Sequence, residues 1–300
     1  MMKTKALCFG SLNIDYVYEV EHIVRPGETL DTKRPGVFAG GKGLNQSVAL
    51  AKAGVCTAHA GKIGPDGAFL RELLERAGVD TSSVAVGADS ATGHAIIQVD
   101  PAGQNSILLF GGANREITDT EIEEALAGCG EGDILLLQNE LNATEALIRA
   151  GHRRGMFVAF NCAPFSEEAK SYPYELVDCL FVNETEGAGL SGRTEPGEIL
   201  DALARICPGI VVLTLGTRGA MAAYRGQTYA APAFPVRAVD TTGAGDTYTG
   251  YFLAAFAEDG DISRAMRLAA AASALEVTRP GAAASIPARE EAERFLRGMA

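Results

Sequence analysis

Long apolar runs are missing from this chain. Its most apolar stretches, such as Ile210 to Leu215, are far too short to span a bilayer. The N-terminal Met1-Met2-Lys3-Thr4-Lys5 carries positive charge, but Asp15 and Glu19 soon follow and no signal-peptide apolar region appears. The six cysteines (Cys8, Cys56, Cys129, Cys162, Cys179 and Cys207) include no C-x-x-C pair. That spacing argues against a zinc site or a disulfide framework and points to reduced core residues of a cytosolic protein. The four histidines, His22, His59, His94 and His152, are scattered without metal-ligand spacing. Positive charge is in deficit, with 26 Lys and Arg against 38 Asp and Glu and a net charge of -12, so nucleic acid is repelled as a partner. An anionic substrate would need a local site built from backbone amides, a metal ion or a few basic side chains.

What is present is an ordinary globular composition. The 300 residues, 47% hydrophobic and 21% charged, suit one large domain with a small attachment. Short apolar strands alternate with helical patterns. Strands are expected at Lys5–Gly10, Ala58–Lys62, Asp133–Leu137, Phe157–Phe160, Cys179–Val182 and Ile210–Leu215, with a strand-like run at Val236–Val239. Helices are expected at Asn45–Ala53, Ala68–Ala77, Thr144–Arg154, Thr247–Ala257 and Ile262–Val277, three of them stopped by Gly54, Gly78 and Gly155. This alternation predicts an α/β fold with a mostly parallel sheet covered by helices on both faces. Tyr16–Val24, His94–Val99 and Ser106–Phe110 instead alternate polar and apolar residues, and Pro101-Ala102-Gly103-Gln104 makes a hairpin turn between the last two. They read as a small β-sheet lid over a cleft, or as edge strands of the main sheet.

Two glycine-rich segments carry chemistry. In Asp240-Thr241-Thr242-Gly243-Ala244-Gly245-Asp246-Thr247 the glycines leave backbone N–H groups free at a helix N-terminus, which makes a phosphate site. Asp246 can then approach a hydroxyl beside that phosphate, or simply cap the helix. A dinucleotide fingerprint is excluded because Tyr248 stands where a third glycine is required. Gly40-Gly41-Lys42-Gly43-Leu44-Asn45-Gln46 imitates a P-loop from Gly36 onward, but Gly43 replaces the Ser or Thr that would hold magnesium. It remains a turn able to hold polyol hydroxyls through amides and Asn45.

These segments, with Gly10-Ser11-Leu12-Asn13-Ile14-Asp15, Asn183-Glu184-Thr185-Glu186 and Thr214-Leu215-Gly216-Thr217-Arg218-Gly219, occur in the order and spacing of the ribokinase-like (PfkB) carbohydrate kinases. The chain resembles that family from residue 10 to Pro287. The resemblance implies a three-layer α/β/α fold, with kinase segments 1–14, 41–91 and 113–300 and lid segments 15–40 and 92–112. It implies transfer of the γ-phosphate of ATP to a sugar hydroxyl. Asp246 would be the base, and Gly243, Ala244 and Gly245 the anion hole. Asn13, Asp15, Gly41, Lys42, Asn45 and Glu140 would bind the sugar. Asn183 and Glu186 would order Mg2+ and phosphate, and Thr214, Gly216, Thr217 and Gly219 would contact the nucleotide together with Gly245. Asp240, Thr242, Glu276, Arg279, Gly281 and Ser285 match a monovalent-cation site, K+ in kind, built mostly from backbone oxygens. Separately from the resemblance, an exposed lid sheet offers an edge for pairing, so a homodimer through the lids is expected.

On the residues alone, alternatives stay open. Asp15 has a lesser reading as a solvated acid, Lys42 as a surface charge and Glu140 as a cap for the helix near Asn142. A family kinase for a deoxysugar, a ketohexose or a nucleoside, and a non-catalytic sensor, are the competing functions.

Overall fold

The computed structural model describes residues 4–299. The strands are β1 Lys5–Phe9, β2 Asn13–Glu19, β3 Arg34–Gly40, β4 Cys56–Ile63, β5 Asp80–Val86, β6 Gly93–Val99, β7 Asn105–Phe110, β8 Ile134–Gln138, β9 Phe157–Asn161, β10 Cys179–Asn183, β11 Ile210–Thr214, β12 Ala220–Tyr224 and β13 Gln227–Ala231. The helices are α1 Lys42–Lys52, α2 Ala68–Arg76, α3 Asp119–Leu126, α4 Thr144–Arg153, α5 Glu184–Ser191, α6 Pro196–Ile206, α7 Ala244–Asp259, α8 Ile262–Glu276 and α9 Arg289–Gly298.

Nine strands form one sheet in the order β13-β12-β11-β10-β9-β8-β1-β4-β5. Neighbours from β11 to β5 are parallel, and β12 and β13 add an antiparallel edge. The central strands are buried on both faces, as the solid apolar runs ILLL of β8 and IVVL of β11 require. Alternate residues therefore feed two cores. Cys8, Leu136, Phe181 and Val212 pack under α1, α2, α7 and α8. Phe9, Leu137, Val182 and Leu213 pack under α3, α4 and α6. This is the three-layer α/β/α arrangement expected from the alternation of strands and helices.

A second sheet, ordered β3-β2-β6-β7, stands apart from the first. Its central pair β2 and β6 is parallel, and both outer pairs are antiparallel. Strand β7 is exposed along its whole length, including Ile107, Leu108 and Phe110.

Several expected boundaries move. Val236–Val239 forms no strand; the chain there is pinned by the Val239 and Asp240 amides, which both donate to the Val277 carbonyl at the end of α8. Helices α1 and α7 each begin three residues before their expected starts, because glycines at their N-caps let the chain turn directly into helix. Cys56 is exposed and Cys129 half-buried, so only four of the six cysteines are core residues. Among the described residues no helix is long and apolar enough to cross a membrane.

Candidate active site

In the large sheet the chain reverses its direction of travel between β1 and β8. Strands β4 and β5 lie on one side of β1, and β8 to β11 on the other. At such a switch point the loops leaving neighbouring strands diverge and open a crevice at the strands' C-terminal ends. Ser11 and Asn13 leave β1 there, and Glu140 leaves β8. The start of α1 closes onto both. Gly43 is needed for that closure: a Cβ at this position would lie 2.4 Å from the Ser11 nitrogen and 2.6 Å from the Gly10 Cα. Gly41 has φ 98°, which favours glycine, and a Cβ there would meet the Ser11 carbonyl at 2.7 Å.

Glu140 does not cap α4, whose N-cap is Ala143. Its Oε2 instead accepts from the Lys42 amide at 3.2 Å and from the Ser11 hydroxyl, whose Oγ also accepts from the Gly43 amide at 3.3 Å. Asn13 and Asp15 lie beyond the end of β1, in the first three residues of β2 in the small sheet. Asn114 fixes the entry to that strand. Its side chain pairs with both backbone groups of Leu12 and donates to Asn13 Oδ1 at 2.8 Å. Asp15 faces Gly40 so closely that a Cβ there would lie 2.1 Å from its carboxylate. Burial first, and the charge of Glu140 second, push the Asp15 carboxyl up to about 7.

Asp246 is buried in the first turn of α7. It is not the helix cap; that position belongs to Gly243, at φ 89°. Its carboxylate accepts from Asn45 Nδ2 at 2.9 Å on Oδ2 and from Gln46 Nε2 at 2.8 Å on Oδ1. The amides of Gly245 and Asp246 fall in the first helical turn, where no intrahelical carbonyl reaches them. The Ala244 amide is directed at the Thr241 carbonyl at 3.3 Å. Lys42 is only partly exposed. Burial works against its charge, but Asp246, Glu140 and Glu186 outweigh it and hold the ammonium above its ordinary range. One cation thus stands among three carboxylates from three elements.

Asn183 and Glu186 form a capping box on α5: Glu186 N donates to Asn183 Oδ1 at 2.9 Å, and Asn183 N donates to Glu186 Oε2 at 2.8 Å. Burial first raises the Glu186 carboxyl, against bonds from Asn183 and the charge of Lys42. Thr214 ends β11, and a tight turn over Gly216–Arg218 follows. Gly219 has φ 94° and lies against the Ala231 carbonyl, where a Cβ would approach to 2.1 Å.

Asp240 ties two loops together, accepting from Thr242 N and Gly281 N, each at 2.9 Å. Burial raises its carboxyl, but those amides outweigh it and hold it below its ordinary range. Glu276 has no exposed surface. Its Oε1 accepts from Ser285 Oγ at 3.3 Å, and its Oε2 has no hydrogen-bond partner among the described residues. Burial first, then Asp240 and Asp246, raise this carboxyl to about 8. Arg279 turns away to pair with Glu291.

The profile of the pfkB family carbohydrate kinase matches residues 3–289. The chain belongs to that family. A ribokinase of Haemophilus influenzae is 35% identical to this kinase, covering 98% of its chain and 99% of the relative. A ribokinase of Staphylococcus aureus is 36% identical, covering 97% and 99%. Among solved structures, Arabidopsis thaliana ribokinase complexed with ribose and ATP superposes with a TM-score of 0.87 at 32% identity, covering 99% of each chain.

Sequence reasoning about this kinase passed over Ser11, Asn114, Gln46 and Gln138. Gln46 lies within the glycine segment but carries no charge to draw notice. The others are ordinary polar residues whose meaning comes only from their partners.

Proposed function

We propose that the protein is an ATP-dependent ribokinase, converting D-ribose to ribose 5-phosphate. The observation that carries the reading is the buried Asp246 carboxylate at the start of α7, held by Asn45 and Gln46 of α1, with the Lys42 ammonium subject to the charges of Asp246, Glu140 and Glu186. Ribose sits between β2 and the β1 and β8 ends, with Asn13, Asp15, Gly41, Lys42, Asn45 and Glu140 about its hydroxyls. Asp246 accepts the proton of the primary hydroxyl as that oxygen attacks the γ-phosphorus. The bond from phosphorus to the ADP oxygen breaks in line, and ADP leaves with the electron pair. The first-turn amides of α7 and the Lys42 ammonium meet the charge that develops on the transferring phosphoryl group. The turn from Thr214 to Gly219 receives the nucleotide.

The oxygen donors of Asn183 and Glu186 suit Mg2+, which when bound neutralises phosphate charge. The buried Oε2 of Glu276, without a partner among the described residues, suits a cation such as K+, to which Asp240, the backbone oxygens of Thr242, Arg279 and Gly281 and the Ser285 hydroxyl would contribute. Six free thiols fit a reducing, cytosolic setting.

A coupled ADP-release assay with a panel of pentoses, deoxypentoses, ketohexoses and nucleosides tests the substrate. Ribose should give the highest kcat/KM, and a higher value for any other acceptor replaces it. Omitting magnesium should abolish turnover, and choline in place of potassium should lower it; full rates in either case remove that ion.

Asp15 gives the binding step a pH dependence. A carboxyl raised from 3.8 to about 7 favours its protonated form in the folded chain. Its contribution to stability is therefore full below the unfolded value and is lost as pH rises through about 7. A sugar hydroxyl donates to the ionised form, so the KM for sugar should fall as pH rises through that range. The Asp15→Asn variant should show a flat profile there, and an unchanged profile would separate Asp15 from sugar binding.

The exposed face and free edge of β7 fit a homodimer through the small sheets. Leu108, 70% exposed, is the position to charge. Leu108→Asp should turn a dimer into a monomer in light scattering at micromolar protein; a dimer that survives the change pairs elsewhere.

A further inference from the structure

Behind Asp246 lies a row of buried amide side chains. Gln46 has no exposed surface, and Gln138, the last residue of β8, is 1% exposed. Gln138 Nε2 donates to Gln46 Oε1 at 2.7 Å and lies 3.4 Å from Cys8 Sγ. Gln46 Nε2 in turn donates to Asp246 Oδ1 at 2.8 Å. A primary amide is planar and carries its donors and its acceptor on opposite sides. Once Gln138 occupies Oε1, the donor side of Gln46 can only face Asp246. Room for this row is made at Gly10, where a Cβ would come within 2.2 Å of Gln138 Oε1.

We propose that Gln46, aligned by Gln138, is a positioning residue that sets the rotation of the Asp246 carboxylate for proton acceptance. The proposal rests on Asp246 as the base. Asn45 holds the other oxygen, Oδ2, but Asn45 is also read as a sugar ligand and its Oδ1 has no partner among the described residues. When sugar engages Asn45, Gln46 is the donor that keeps the carboxylate from swinging. The row crosses three elements, β8, α1 and α7, and so ties the base to the end of the strand from which Glu140 departs. Buried and away from water, each of these bonds is made in a low-dielectric setting where a lost partner is costly.

The test is steady-state kinetics with ribose and ATP on Gln46→Met, Gln138→Met and the double variant, beside Asp246→Asn. Misplacement of a reacting group by about 1 Å costs on the order of 100-fold. Gln46→Met should therefore lower kcat by about 10- to 100-fold while the KM for ribose stays within about twofold. Gln138→Met should give a smaller loss of the same kind. The double variant should be no slower than Gln46→Met alone, since both changes break one row. A purely structural role would show in thermal stability and KM without that kcat-specific, non-additive pattern. The double variant also replaces both hydrogen-bond partners at once, which leaves no orphaned amide and protects folding. It decides the matter alone should Gln46→Met not fold. Near wild-type kcat in the double variant, or losses that multiply, overturns the proposal. If Asp246→Asn is inactive while the Gln46 variants are not, only this inference fails; if Asp246→Asn stays active, the base assignment beneath it fails.

Discussion

Replacing Asp246 with Asn is expected to lower kcat by about 100- to 10,000-fold, the span over which a positioned general base contributes. The side chain keeps its size and its place in the first turn of α7, so the fold should survive. What changes is the acceptor. Asn45 Nδ2 and Gln46 Nε2 both donate to the carboxylate, one to each oxygen. An amide at 246 has only one oxygen, so one of those donors would face an NH2 group, and a modest fall in melting temperature should accompany the loss of rate. The KM for ATP should change little, because the amides of Gly243 to Gly245 and the turn after Thr214 remain. Stopped-time assays of sugar phosphate at saturating substrates read the effect directly. Turnover within tenfold of the wild type would mean that the proton goes elsewhere.

Gly43→Ala is expected to have the second largest effect. The added methyl would lie 2.4 Å from Ser11 N, 2.5 Å from Gly10 C and 2.6 Å from Gly10 Cα. These are backbone atoms, which cannot swing aside as a flexible side chain would. Either α1 or the β1 exit must move, at a cost of about 1–3 kcal/mol for an overpacked site. The shift would pass to everything this contact aligns: Ser11 with Glu140, the Lys42 amide, and Asn45 and Gln46 with Asp246. A movement on the order of 1 Å should lower kcat/KM about 100-fold. Thermal melts and kinetics on the same sample separate the two effects. Wild-type stability together with wild-type kcat/KM would show that the two backbones have slack that the packing conceals.

Much of the fold was legible because burial on both sheet faces leaves a plain mark. ILLL in β8 and IVVL in β11 cannot be half-exposed strands, and the helical stretches between strands announce crossovers. The edge strands β12 and β13 were harder to see, since AMAAY and QTYAA carry small or polar residues with little alternation. Val236–Val239 misled in the opposite direction. It has strand composition, but the Val277 carbonyl takes the amides of Val239 and Asp240 and no ladder forms. The starts of α1 and α7 were misplaced by three residues because a glycine reads as a break in sequence, whereas Gly41 and Gly243 at positive φ serve here as the caps from which helices begin.

Sequence by itself determined the chemistry on offer: glycines where backbone must approach backbone or phosphate, a carboxylate at the mouth of a helix, and amide and acid side chains at strand exits. Local patterns encode these because turn conformation and helix polarity depend on a few neighbouring residues. The tertiary structure alone decided which of them meet. Asn45 and Gln46 lie about two hundred positions from Asp246 along the chain, 201 and 200 respectively, and Glu140 lies 98 from Lys42. Contacts over such separations depend on strand order, and the reversal between β1 and β8 that creates the crevice is a property of the whole sheet. The amides of Gln46 and Gln138 gained their meaning the same way, since a neutral polar side chain is defined by the partner it finds once buried.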